Sequence, residues 1–437
     1  FRFDFGEAMK KVKKTIGVMD PNAFSFRESI EKLVVALAPN IQWNDEIHEV
    51  ETRRIKCRPY DTLRARTTCD AIINRGAHWN PHHNSFFQRV SHRTYLLNDM
   101  SSFFAINKNT SYGQMFELGM KIPPTFAIPQ EDNSEFEFSS KISSDLVFPE
   151  YEMFDLKEIG EAVGYPAFLK PQDGGGWIGV QKVSNLEELE LAYKKSGAKP
   201  QNLQKAIIDY QEFIRCVGMG PQVIPMHYNA EAEFSHDRYL RGDENLVEPN
   251  FLNSEVDREV KQICKIINAF YGWDHNSCEV LLTQDGDVHP IDFANAYPDS
   301  SLVSLHYYFP ELVKNTVRWL LFVVCTDRKK RTFGYDWDNY FEILERSNNE
   351  ELSYHKKLDF YEELADQHYS TRDFHAFYEQ VLGTKFEQAC YDFFASSEFQ
   401  EIIEEEVSRY FKIPSEKPAK IEQYKKLHGI WLDHQSS

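Results

Sequence analysis

The chain lacks any apolar run long enough to span a membrane. Its longest, WLLFVVC at 319–325, is far short of the ~20 residues a spanning helix needs. The amino end carries no secretory signal pattern. The seven cysteines (57, 69, 216, 264, 278, 325 and 390) are scattered, odd in number and without a CxxC pair. That usage predicts reduced thiols in a cytoplasmic protein, not a disulfide framework. Basic charge is in short supply: 49 Lys and Arg against 68 Asp and Glu leave a net charge of −19. Non-specific nucleic-acid binding depends on Lys and Arg meeting phosphates, so it is excluded as a main function, and only a local basic pocket remains. Neither GxxxxGK[ST] nor a glycine fingerprint opening a helix occurs, which removes the Walker and Rossmann modes of nucleotide binding.

What is present suits a folded α/β protein. Hydrophobic residues make up 42% and aromatics 14% of 437 residues, enough for two to four structural units. Residues 24–38 read as an amphipathic helix, 69–76 as a buried strand, and 106–120 as a helix starting near Asn109. Residues 130–150 are polar and without period, the pattern of a loop. SNLEELELAYKKSG (184–197) reads as a helix capped by Ser184 with Glu187 three residues on. KAIIDYQEFI (205–214) reads as an apolar strand and 254–271 as a helix. From about 306 onward the pattern turns helical and aromatic-rich.

Two stretches carry chemistry. In AFLKPQDGGGWIGVQKV, a short strand bears Lys170, three glycines (Gly174, Gly175, Gly176) form a loop, and Trp177–Val183 returns as a second strand. Glycines let a backbone approach an anion closely and turn N–H groups towards it, and Lys170 could reach the same phosphates. A triple glycine alone equally fits an ordinary hairpin. In CEVLLTQDGDVHPIDFAN, Asp285-Gly286 signals a two-residue turn. That frame puts Glu279 opposite Asp292, roughly 5 Å apart at Cβ. Two facing carboxylates among apolar neighbours invite a hard divalent cation, although a solvated acidic edge strand would read the same. Asn295 could add a third oxygen if a bulge or the strand's end brings it round.

The order of these parts resembles the ATP-grasp superfamily over about 100–300: a lysine entering a helix, a strand lysine leading a glycine loop, an apolar strand ending in Gln211-Glu212-Phe213-Ile214, and an acidic hairpin. The resemblance implies two α+β lobes clamping ATP, with an N-terminal α/β domain and a C-terminal helical extension. The implied divisions are 1–105, an N-terminal pre-ATP-grasp domain; 106–204, a small lobe with the glycine loop; 205–325, a large lobe with the metal-binding hairpin; and 326–437, the helical region. It further implies ATP contacts at Lys108, Lys170, Gly174, Gly175, Gly176 and the hinge Gln211, Glu212, Phe213 and Ile214. Magnesium, for which manganese could substitute, would be held by Glu279, Asp292 and Asn295. The implied activity is carboxylate–amine ligation through an acyl phosphate on small-molecule substrates, releasing ADP and phosphate. A small-molecule kinase and a non-catalytic nucleotide-binding regulator are the alternatives. No nucleic-acid or membrane partner is expected, and the helical region leaves room for a homodimer.

Three departures from the family pattern stand out. Asp292-Phe-Ala-Asn295 is one residue longer than the usual acid-x-Asn. Asn276-Ser277-Cys278 lacks the arginine that often precedes the first metal acid, so Arg238, expected to act in catalysis, or Arg75 would take over. Arg215 follows the hinge where an acid often meets the ribose. The histidines of HWNPHHN (His78, His82, His83) raise zinc as a weaker reading beside that of a loop near the substrate.

Overall fold

The computed structural model describes residues 9–20, 24–37, 41–56, 58–77, 80–102, 107–132, 154–241, 247–329 and 337–436. His78 and most of the predicted 130–150 loop lie outside them. The chain forms two compact units. One comprises Phe1–Phe103, Arg215–Ser277 and Ala296–Ser437, the other Phe104–Ile214 and Cys278–Asn295.

The first unit opens on a mainly parallel sheet in the order β2-β3-β1-β4-β5: β1 (Lys10–Met19), β2 (Ile41–Trp43), β3 (Glu46–Arg54), β4 (Ala71–Asn74) and β5 (Tyr95–Leu97). Ile16, Val18, Ile72 and Ile73 on its central strands are buried. Helix α1 (Phe24–Leu37) repeats apolar residues on one face, and Phe26, Ile30, Leu33 and Val34 are buried. Helix α2 (Pro81–Val90) starts where the sequence chemistry demands it. Asn80 accepts from the His82 and His83 amides, and Pro81 occupies a position whose N–H needs no partner.

The second unit begins with α3 (Lys108–Glu117), capped by Asn107, one residue before the predicted start near Asn109. Then follow β6 (Thr125–Ile128), α4 (Leu156–Val163), β7 (Ala167–Pro171), β8 (Gln181–Val183), α5 (Leu186–Lys194) and β9 (Gln201–Lys205). The four strands form a sheet in the order β6-β9-β7-β8. Its core joins Ala167, Leu169, Val183 and Leu203 to Val163 and Leu189 of the two helices. Each such fully buried aliphatic side chain contributes about 1.5–3 kcal/mol.

Several local expectations shift. The predicted second strand at Trp177 shortens to β8, because Gly176, Trp177 and Gly179 all take positive φ, which no extended strand accommodates. The capping box of α5 sits one residue later than predicted. Asn185 accepts from the Glu188 amide, and the Glu188 carboxylate accepts from the Ser184 amide. The single strand predicted over 205–214 is instead the end of β9, a break, and the start of β10 (Tyr210–Met219).

Strand β10, β11 (Gln222–His227), β12 (His275–Thr283) and β13 (Val288–Asn295) form the third sheet, in the order β11-β10-β12-β13. Helix α6 (Ser254–Phe270) precedes β12, and the remaining long helices run from α7 (Phe309–Cys325) to the carboxyl end: α8 (Trp337–Asn349), α9 (Tyr354–Tyr369), α10 (Thr371–Phe377), α11 (Gly383–Ala395), α12 (Ser397–Tyr410) and α13 (Lys417–Ser436). Among the described residues no helix is long and apolar enough to cross a membrane. The cysteines among them (69, 216, 264, 278, 325 and 390) are free and buried.

Candidate active site

The second unit gathers most of the sequence-predicted residues. Strand β7 alternates: Ala167 and Leu169 enter the core, which leaves Phe168 and Lys170 on the opposite face. Gln204 lies directly across from Phe168, on that same face. The Lys170 ammonium, 7% exposed as a residue, donates to Gln204 Oε1 at 2.7 Å and to the Ile291 carbonyl at 3.3 Å. Helix α3 supplies the second lysine. Lys108 and Tyr112 are four residues apart and therefore share a helix face. Lys108 Nζ is 3.3 Å from Asp292 Oδ1 and donates to the Gly174 carbonyl at 3.1 Å. Tyr112 donates its hydroxyl to the Ile291 carbonyl at 2.8 Å and packs edge-on against Phe293.

The glycine loop is anchored at its base. The Lys108 amide donates to the Gln172 carbonyl at 2.8 Å, and Lys199 pairs with Asp173 at 3.0 Å. Beyond that base, Gly174 and Gly176 hold φ of 113° and 68°, and an added Cβ at either would meet open space. The backbone conformation, not crowding, thus requires glycine at these two positions.

The acidic hairpin closes differently from the expected frame. The Gly286 amide donates to the Thr283 carbonyl at 3.0 Å, and the Thr283 amide to the Asp287 carbonyl at 2.9 Å. The loop is therefore three residues, with Gly286 in the left-handed region at φ 87°. The Asp287 amide also donates to the Thr283 hydroxyl, which fixes that closure. Counted from the turn, the frame differs by one residue from the predicted one. Both acids nevertheless bear on the same two groups. Asp292 and Glu279 each raise the Lys170 and Tyr112 pKa values.

Burial dominates the electrostatics. It brings Lys170 down to about 8, against an upward pull from Asp292, a further downward push from Lys108 and an upward pull from Glu279. Burial likewise holds the Tyr112 phenol well above its ordinary range, with the two carboxylates adding to the shift. Two lysines and a tyrosine thus lie within electrostatic reach of two partly buried carboxylates.

A magnesium ion suits this donor set. Asp292 is half-buried and already draws a cation, Lys108, while Asp292 and Glu279 both act on Lys170. Hard oxygen donors in such small number leave a magnesium shell to be completed by phosphate and water. Asn295 is half-buried at the end of β13. Among the described residues no group of three or more His, Cys, Asp or Glu side chains is arranged to hold a metal, and this covers His82 and His83, whose rings stand 6.3 Å apart.

The hinge residues lie on β10. Gln211 is exposed and donates to the Thr283 carbonyl at 3.0 Å, Glu212 is half-buried, and Phe213 and Ile214 are buried. Arg238 and Arg75 belong to the first unit. Arg238 and Arg215 both donate to the Tyr228 hydroxyl, at 3.0 and 3.1 Å. Arg75 is a buried structural arginine. It pairs with Asp20 at 2.7 Å, donates to the Pro298 carbonyl and lies over the Tyr297 ring. Its side chain is committed to the core, where the sequence had offered it to a substrate carboxylate. Gln204 and Tyr112 were missed from sequence. The Lys108–Tyr112 spacing was a usable signal, whereas Gln204 needed the strand register.

No family model matches the chain. Among curated proteins it is 25% identical over 183 residues to a D-alanine–D-alanine ligase of Bacillus cytotoxicus, covering 37% of this chain and 49% of that one. A D-alanine–D-alanine ligase of Bacillus velezensis is 27% identical over 173 residues, covering 36% and 46%. The chain thus spans about half the length of the curated relatives it matches. Solved structures similar to it include a RimK domain ATP-grasp protein from Sphaerobacter thermophilus, with a TM-score of 0.47, 14% identity, and coverage of 70% of this chain and 99% of that one. The sequence likeness to D-alanine–D-alanine ligases accompanies an α/β architecture in which two lysines and two carboxylates gather beside a glycine loop.

Proposed function

We propose that the chain is an ATP-dependent carboxylate–amine ligase that works through an acyl phosphate and releases ADP and phosphate. The observation that carries this reading is the cluster of Lys108, Lys170, Asp292 and the Gly174 carbonyl, with Glu279 also acting on Lys170. Transfer of a phosphoryl group to a carboxylate brings two anions together, so charge neutralisation and alignment are the main needs. Lys170 and Lys108 would meet phosphate oxygens from β7 and α3, the start of α3 being hydrogen-bonded to the loop that follows β7. The amides of the glycine loop would cover the same phosphates. Glu279, Asp292 and Asn295 would hold magnesium, which when bound offsets phosphate charge. Gln204 would keep the Lys170 ammonium aimed while the phosphate is absent. The substrate carboxylate is already ionised at neutral pH, so the first step needs no general base. Gln211–Ile214 would read adenine through backbone groups, and Arg238 would steady the acyl donor.

The test is a product assay with pairs of amino acids and small carboxylic acids. ADP and phosphate appearing only when both an acid and an amine are present support the reading. AMP and pyrophosphate without ADP overturn it.

A further inference from the structure

The segment after β3 reverses the charge of the chain. Residues 53–66 (RRIKCRPYDTLRAR) contain six basic side chains and one acid in a protein of net charge −19. This segment and α2 enclose a cavity of about 360 Å³. Its lining includes five Arg or Lys residues and no Asp or Glu. Two of the five are spoken for: Arg54 pairs with Glu28 and Glu31, and Arg53 with Glu51 and Thr68. Among the described residues the side chains of Lys56, Arg58 and Arg66 have no hydrogen-bond or ion-pair partner. Three like charges left uncompensated around one cavity repel each other, and an anion relieves that repulsion.

Five further lining residues are aromatic: Tyr60, His82, His83, Phe86 and Phe87. Tyr60 packs against His82 with ring centroids 5.1 Å apart and against Phe86 at 5.2 Å. Phe86 in turn packs against the core cluster that contains Met19, Cys69 and Phe87, which also line the cavity. His83 also lines the cavity, and its Nε2 is buried without a hydrogen-bond partner among the described residues. A cavity of this size with an aromatic wall and a cationic rim is of the kind that takes a flat ring bearing a strong anion. Guanidinium forks match phosphate oxygens two at a time, so Arg58 and Arg66 favour a phosphate over a single carboxylate.

We propose that this cleft of the first unit binds a small aromatic phosphate, the ring against Tyr60, His82 and Phe86 and the phosphate between Lys56, Arg58 and Arg66. The site shares no residue with the lysine–carboxylate cluster and does not depend on the ligase reading.

Calorimetry with 4-nitrophenyl phosphate, inorganic phosphate and 4-nitrophenol tests it on the whole chain. The aryl phosphate is expected to bind at least tenfold more tightly than either of the other two. The double variant Arg58→Ala, Arg66→Ala should weaken that binding by tenfold or more. Both side chains are exposed, so the fold should survive. Lys108→Ala should leave the binding unchanged. The proposal is overturned if the double variant binds like the parent, if Lys108→Ala abolishes binding, or if neutral 4-nitrophenol binds equally well.

Discussion

Lys108 Nζ stands 3.3 Å from Asp292 Oδ1, so the first turn of α3 and the edge strand β13 are joined by one ion pair at the pocket. Asp292 is also the foremost of the charges that keep Lys170 protonated. Asp292→Asn should lower ATP turnover by about 100-fold or more, the size of loss seen when a preorganised charge is removed. Circular dichroism should stay unchanged. Turnover within tenfold of the parent would refute the role assigned to this acid.

Lys170 titrates at about 8, because burial disfavours its charged form. Between pH 8 and the ordinary lysine value near 10.5, the unfolded chain binds more protons at this position than the folded one. Stability from this group therefore rises with pH across that window, and the penalty is fully present below it. Phosphate binding runs the other way, since it needs the ammonium. ATP affinity of the free protein should fall as pH passes 8, and Lys170→Arg, which stays charged, should flatten the fall. Lys170→Met should melt at a higher temperature than the parent at pH 7. A parental affinity profile flat from pH 7 to 9.5 would count against the assignment.

Gln204 is a positioning residue for Lys170, which it meets at 2.7 Å. It also donates to the Thr125 hydroxyl at 3.0 Å. Gln204→Leu removes a buried acceptor from a charged donor, an interaction of about 1.5–3 kcal/mol. The expected outcome is a 10- to 100-fold lower kcat, with the Lys170-linked fall in ATP affinity moved to lower pH. Gln204→Glu should restore much of the loss and move the fall upward. A variant that changes only melting temperature would reduce Gln204 to a structural part.

The glycine loop offers an internal control. Gly174 holds φ 113°, while Gly175 has an ordinary φ and open space around it. Gly174→Ala should raise KM for ATP several-fold through the roughly 1–2 kcal/mol that a Cβ costs in left-handed backbone. Gly175→Ala should be close to neutral in steady-state kinetics. Equal effects from both would show that the loop's conformation does not matter.

Arg75 and Asp20 form a buried ion pair at 2.7 Å. Asp20→Asn leaves the guanidinium uncompensated and should cost about 3–5 kcal/mol in chemical denaturation. A change in turnover without loss of stability would instead return Arg75 to the substrate.

Much of the site was legible because its parts are local in sequence. Lys170 and the glycines fall within seven residues, Asn107 and Lys108 open a helix, and Glu279 and Asp292 flank one turn. The missed details came from geometry that residue types do not encode. Asp285-Gly286 suits a two-residue turn, but the Thr283 hydroxyl captures the Asp287 amide and favours three. Ser184 and Glu187 make a credible capping box, but Asn185 and Glu188 offer the same chemistry one step on. Gln204 looked like any polar strand residue until pairing with Phe168 put it beside the lysine. Arg75 ended a buried strand, and nothing nearby in sequence announced Asp20, its partner 55 positions earlier.

Trp177 crowns the glycine loop at φ 65°, partly exposed and edge-on to Phe168. An indole so placed is a native fluorophore on the segment that would cover the phosphates. Its emission gives ligand-induced ordering of the loop a spectroscopic readout without a label, and a Trp177→Phe control separates its signal from the other six tryptophans.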